Sequence, residues 1–117
     1  MNLGRPSIDD ARLVRVFKAL ADPKRFRMIQ EIADAGELSC GQIAEKFDLT
    51  QPTISHHLKI LTDAGVIVIR REGQHGFASV DRQLLAAVSG LLTTRVLARS
   101  TSTRRAAQKV SPSNRSP

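Results

Sequence analysis

With 117 residues, 41% of them apolar and 25% charged, the chain suits one compact globular domain and is too short for two; its core must be mostly aliphatic, since there is no Trp or Tyr and only four Phe. A single Cys excludes an internal disulfide or a multi-cysteine zinc site within one chain, and the lack of any long apolar run excludes a membrane-spanning helix. The net charge of +7 is uneven: residues 98–117 hold five basic residues and no acid, leaving +2 for residues 1–97, so overall charge favours a nucleic-acid partner only weakly and local pattern must decide.

Residues 1–9 read as a flexible start without the charged-then-apolar pattern of a leader, which predicts a cytoplasmic protein. A first helix is predicted from Asp10 to Leu20, with Leu13, Val14, Phe17 and Leu20 as its apolar face. Asp22 is a good N-cap and Pro23 suits the first helical position, where its missing N–H costs nothing. The second helix should run from Pro23 to about Ala35, bury Phe26, Ile29, Ile32 and Ala33, and close at Gly36. Ser39 and Gln42 have the Ser-x-x-Gln form of a capping box and open a short third helix with Ile43, Ala44 and Phe47 on its apolar side. Asp48 and Leu49 turn the chain. Thr50 then caps a fourth helix reaching about Ala64, with Ile54, Leu58 and Leu61 inward and Gly65 as its terminator.

The β-branched residues Val66, Ile67, Val68 and Ile69 predict a strand that ends in Arg70 and Arg71. Glu72 to Gly76 reads as a polar loop and Phe77 to Val80 as the return strand. Asp81 caps a last helix. Its stripe of Leu84, Leu85, Val88, Leu91, Leu92 and Leu97 is wider than a domain of this size is expected to cover alone, which points to a partner subunit. Residues 98–117 are rich in Ser, Thr and Arg, with Val110 as the sole strongly apolar residue. They bury too little to offset their ordering entropy and are expected to form a disordered basic tail. The predicted fold is mainly α with a small β-hairpin: a winged helix-turn-helix of about five helices and a two-stranded wing, with residues 10–97 as one DNA-binding and dimerisation domain.

The functional signal lies in the run from Leu49 to Leu61. A helix that enters the DNA major groove needs short polar residues in its first turns, an apolar anchor at i, i+4 and i+7, and basic flanks. Gln51, Thr53, Ser55 and His56 supply the first requirement, Ile54, Leu58 and Leu61 the second, and Lys59, Arg70 and Arg71 the third; Pro52 and His57 are also expected to touch DNA. Gln can bond adenine through two hydrogen bonds, and Ser or Thr can reach bases or phosphates. Gln74 and His75 at the hairpin tip complete the expected DNA contacts. No Ser-His-Asp set, Gly-rich phosphate loop or metal-ligand cluster is present, so an enzyme is disfavoured. His56 and His57 project about 100° apart on a helix and cannot ligate one metal from the same face.

Three segments carry a family resemblance. Phe17-Lys18-Ala19-Leu20-Ala21-Asp22-Pro23-Lys24-Arg25 resembles an opening signature, Ser55-His56-His57-Leu58-Lys59-Ile60-Leu61 with Ala64-Gly65-Val66 resembles a recognition helix and its exit, and Arg70-Arg71-Glu72-Gly73-Gln74 resembles a wing. Together they are similar to the arsenic-repressor-like (ArsR/SmtB-type) winged-helix repressors of bacteria, over about Arg12 to Leu92. The resemblance implies a homodimer built on the first and last helices, through Leu13, Phe17, Leu85, Val88 and Leu92. It also implies a palindromic operator on double-stranded DNA and release of that DNA on a chemical signal.

The departures from the family are specific. Ser39 and Gly41 stand where its metal sensors carry paired thiols, with Cys40 between them. Between Arg82 and Leu97 no Asp, Glu or His stands where the second family site draws its ligands. Soft and borderline ions need several Cys or His ligands. The expectation is therefore a repressor, with its own promoter as one candidate target, and with no metal site and no cofactor. The alternatives are a repressor that senses a non-metal small molecule or an oxidant through Cys40, and a winged helix that binds protein.

Overall fold

The computed structural model describes residues 8–97, so the readings of residues 1–7 as part of a flexible start and of residues 98–117 as a basic tail fall outside the described residues. The chain divides into two compact units, Met1–Leu85 and Ala86–Pro117, and the single domain expected over residues 10–97 spans that division.

In the first unit, helix α1 (Asp10–Leu20) opens on Asp9, whose carboxylate accepts the Arg12 backbone N–H at 2.9 Å. It buries Leu13, Val16 and Ala19. The expected face is thereby rotated: Val14 is 48% exposed, because Val16 and Ala19 turn inward in its place. Helix α2 (Pro23–Ala35) is capped by Asp22 and ends, as expected, at Gly36, whose positive φ of 85° favours glycine. Met28, Ile29 and Ile32 are buried, whereas Phe26 is 51% exposed and leaves the predicted core. Two stripes were compatible with Ile29 and Ile32, and the one through Met28 faces inward.

A strand too short to predict, β1 (Leu38–Ser39), leads directly into α3 (Cys40–Phe47). Ser39 also caps α3: its Oγ accepts the Gln42 N–H at 3.0 Å while Gln42 Oε1 accepts the Ser39 N–H at 2.8 Å, completing the capping box. Asp48 adopts a left-handed φ of 51°, and Thr50 then caps α4 (Gln51–Asp63). Ile54, Leu58 and Leu61 are buried as expected. Lys46 pairs with Glu31 at 3.4 Å and the Arg27 guanidinium lies 4.9 Å above the Phe47 ring, so two polar contacts join α2 to α3.

Strands β2 (Ile67–Glu72) and β3 (His75–Val80) pair antiparallel, from Ile67 opposite Val80 to Glu72 opposite His75. The hairpin is longer than predicted and its loop shorter, with Gly73 and Gln74 alone between the strands. Gly73 has φ 63°, as the first central residue of a type II′ turn requires. The sheet has three strands rather than two, in the order β1-β3-β2, with Leu38 opposite Ala78 and Ser39 opposite Phe77.

Helix α5 (Arg82–Leu92) starts where Asp81 accepts the Leu84 N–H at 3.0 Å. Arg82 reaches back to the Ala33 carbonyl at the end of α2, at 3.0 Å. In the second unit α5 continues to Leu92 and widens into a π-helical turn, Thr93–Leu97. There Thr93 and Thr94 donate to the carbonyls of Ser89 and Gly90. No helix among the described residues is long and apolar enough to cross a membrane.

Candidate nucleic-acid interface

Helix α4 divides its residues by side. Ile54, Leu58 and Leu61 are buried, which fixes the rotation of the helix about its axis. The opposite side then presents Pro52, Ser55, His56 and Lys59 at i, i+3, i+4 and i+7, all exposed, with Gln51 and Thr53 exposed at the start. Thr50 Oγ1 accepts the Thr53 N–H at 3.4 Å and donates to Thr53 Oγ1 at 3.0 Å. Pro52 removes one N–H from the first turn, where helix donors have no internal acceptor. No acidic residue stands in that turn, so the positive end of the helix dipole is left uncompensated. Lys59 pairs with Asp63 one turn on, at 3.2 Å, in an exposed contact that water screens.

The hairpin lies beside this helix. Gln51, at the start of α4, lines a cleft of about 540 Å³ together with Gln74 and His75 of the hairpin tip, Ser39 of β1 and Cys40 to Gln42 of α3. A second cleft, of about 400 Å³, is lined by Ser55 and Lys59 on one side and Arg71 on the other. The structure thus brings together the polar row of α4 and the hairpin residues Arg71, Gln74 and His75. Cys40 lines both clefts, half-buried, and a Cβ added to Gly76 would lie 3.4 Å from its sulfur. Among the described residues no three His, Cys, Asp or Glu side chains converge as metal ligands.

Two predicted contact residues are placed differently from the rest. Arg70 donates to both carboxylate oxygens of Glu37, at 2.9 and 3.2 Å, lies 3.4 Å from Glu72, and stacks 4.6 Å from the Phe77 ring centroid. These bonds hold the Glu37 carboxyl below its usual range and raise the guanidinium further above its own. Arg71 has no such carboxylate partner among the described residues. His57 is half-buried, away from the exposed row, with Nδ1 3.3 Å from Arg25 Nη1. Burial pushes its pKa below the usual histidine value.

Sequence reasoning assigned no role to Arg25 or Glu37. Arg25 Nε donates to the Ala19 carbonyl at 2.7 Å and Nη2 to the Lys18 carbonyl at 3.3 Å, so it closes the end of α1. Its backbone N–H and that of Lys24 donate to Asp22, both at 3.0 Å, and hold that carboxyl below its usual range. The Asp-Pro-Lys-Arg signature is therefore a joint between two helices. Of the residues expected at a dimer contact, Leu13 and Val88 are buried, Phe17 and Leu85 are half-buried, and Leu92 is 44% exposed.

A helix-turn-helix domain model matches residues 20–70. The transcriptional repressor SdpR of Bacillus subtilis (strain 168) is 44% identical over 70 residues, which are 60% of this chain and 77% of that one. An arsenical resistance operon repressor of the same organism is 36% identical over 77 residues, 66% of this chain and 70% of that one. An ArsR-like transcriptional regulator from Rhodococcus sp. RHA1 superposes with a TM-score of 0.71 over 86% of this chain and 93% of its own; at 21% identity it shows the shared fold. The chain belongs to the ArsR/SmtB-type family of winged helix-turn-helix, DNA-binding transcriptional regulators.

Proposed function

We propose that this regulator is a repressor that binds a palindromic operator as a homodimer, with α4 in the major groove and the β2–β3 hairpin as the wing on the flanking backbone. The observation that carries this reading is the exposed row of Pro52, Ser55, His56 and Lys59 opposite a fully anchored apolar side, with Gln51 beside the hairpin tip across one cleft. Gln51, Thr53, Ser55 and His56 are proposed to reach base edges, where each good pair is worth about 1–3 kcal/mol of discrimination. Lys59, Arg71, Gln74 and His75 are proposed to meet phosphates and fix the register. Pro52 lies against the sugar-phosphate edge in this arrangement.

Selection from random duplexes tests the reading. It is expected to return a two-fold symmetric sequence, and Gln51→Ala and Ser55→Ala should each relax preference at defined positions at a cost of ~1–3 kcal/mol. Full affinity in the folded double variant would remove α4 from the groove. Soft metals are proposed not to control this protein, since Ser39 and Gly41 offer no thiolate and Cys40 supplies one per chain. Zinc, cadmium or arsenite added to the same assay should leave operator affinity unchanged.

A further inference from the structure

His57 stands within the recognition-helix sequence yet is half-buried against Arg25. A guanidinium carries donors only. Arg25 Nη1 lies 3.3 Å from Nδ1 of His57, and a hydrogen bond between them requires that ring nitrogen to supply the lone pair, that is, a neutral ring with its proton on Nε2. Arg25 Nε and Nη2 donate to the carbonyls of Ala19 and Lys18, and its backbone N–H donates to Asp22. One side chain therefore ties the end of α1, the start of α2 and the second turn of α4. We propose that His57 is a positioning residue that fixes the DNA-reading helix through Arg25, does so only as a neutral ring, and makes no DNA contact of its own. The proposal rests on the DNA-binding reading given above.

Protonation removes the lone pair and sets an imidazolium beside a guanidinium. The charged and titratable groups facing His57 are Asp22 from the joint, Arg25 and Lys24 from α2, and His56 from α4. Asp22 attracts the imidazolium, but its carboxylate is already held by two backbone N–H groups. Burial and the two cations oppose protonation. The tied conformation thus binds fewer protons than the released one. Its advantage is complete above the ordinary histidine pKa of about 6.5 and is lost as pH falls through the lowered value.

The test measures affinity of the full chain for its selected duplex against pH, for the natural protein and for His57→Asn. The Asn oxygen stands near the place of Nδ1, accepts a hydrogen bond, and does not titrate in this range. His56 and His75 are common to both proteins, so the ratio of the two affinities isolates His57. The two should bind alike at about pH 8, and the ratio of natural to variant affinity should then fall in acid by up to about tenfold per pH unit. A ratio independent of pH overturns the proposal. So does a ratio that rises in acid, which is what phosphate contact by an imidazolium would give. If selection yields no specific duplex, the DNA reading has failed, and nitrogen-resolved NMR of the free protein still decides the link. It should show His57 with Nδ1 unprotonated and titrating below the ordinary histidine range; a proton on Nδ1 at neutral pH overturns it.

Discussion

Arg70 and Arg71 are neighbours in sequence but should respond differently to salt. Each phosphate contact contributes about one unit to the log–log slope of affinity against salt. Arg71 is exposed without a carboxylate partner among the described residues, so Arg71→Ala should lower the slope by about one unit. Arg70 already has Glu37 and Glu72, and a phosphate can only replace what they supply. Arg70→Ala should therefore change the slope by clearly less, and Glu37→Gln should steepen it by releasing the charge. Equal slopes for the two arginine variants would show that the Glu37 pair opens on DNA. None of this was legible in the sequence. Glu37 and Arg70, like Arg25 and His57, are more than thirty positions apart, and the patterns that reveal helices and strands report only on neighbours within a turn or two.

At the scale of elements, caps and terminators were the most legible feature. Asp22, Ser39, Thr50 and Asp81 each accept a first-turn N–H, because short polar side chains satisfy donors that a helix start leaves open. Faces were less legible. In α1 and α2 alternative apolar stripes exist, and packing against the other helices, not spacing, selected Val16 and Met28 over Val14 and Phe26. Helix α4 has a single apolar stripe, and there the reading held. Two substitutions separate anchoring from termination. Ile54 is fully buried, so Ile54→Ala should cost about 2–5 kcal/mol by denaturant unfolding. Gly65 ends α4 at φ 85°, and an added Cβ would lie 3.0 Å from Arg12 Nη2 and 3.3 Å from Leu84 Cδ2. The left-handed backbone alone makes Gly65→Ala cost about 1–2 kcal/mol, with crowding of Leu84 added to it. A Gly65→Ala protein as stable as the natural one would show that the exit from α4 can take another path.

For the whole molecule, the fold class followed from the order of elements, whereas the third strand did not, since two residues carry no periodicity to read. The proposed dimer is where composition and structure meet most directly. Of the residues expected at the subunit contact, Leu13 and Val88 are buried within one chain, which leaves Phe17 and Leu85, half-buried, and Leu92, exposed, to be tested there. Leu92→Glu is the cleaner probe because Leu92 is exposed, and a charge there leaves the core of one chain intact. Sedimentation should find the natural protein dimeric at micromolar concentration and the variant monomeric with weak operator binding. A natural protein that stays monomeric would remove the two-fold symmetry expected of the operator.

Strand β1 has a consequence for the order in which the chain assembles. The β2–β3 hairpin closes through a two-residue turn and involves only local contacts, but β1 reaches β3 only after α3, α4 and β2 have been placed between them in sequence. Contacts that close so long a loop form late, because the entropy of closure must be offset by structure already in place. Ser39 belongs both to that late pairing and to the cap of α3. Truncating Leu38 should therefore speed unfolding and leave the folding rate nearly unchanged. Of all the joints in the fold, the one between sheet and helix-turn-helix should be the first to open when the protein is driven apart.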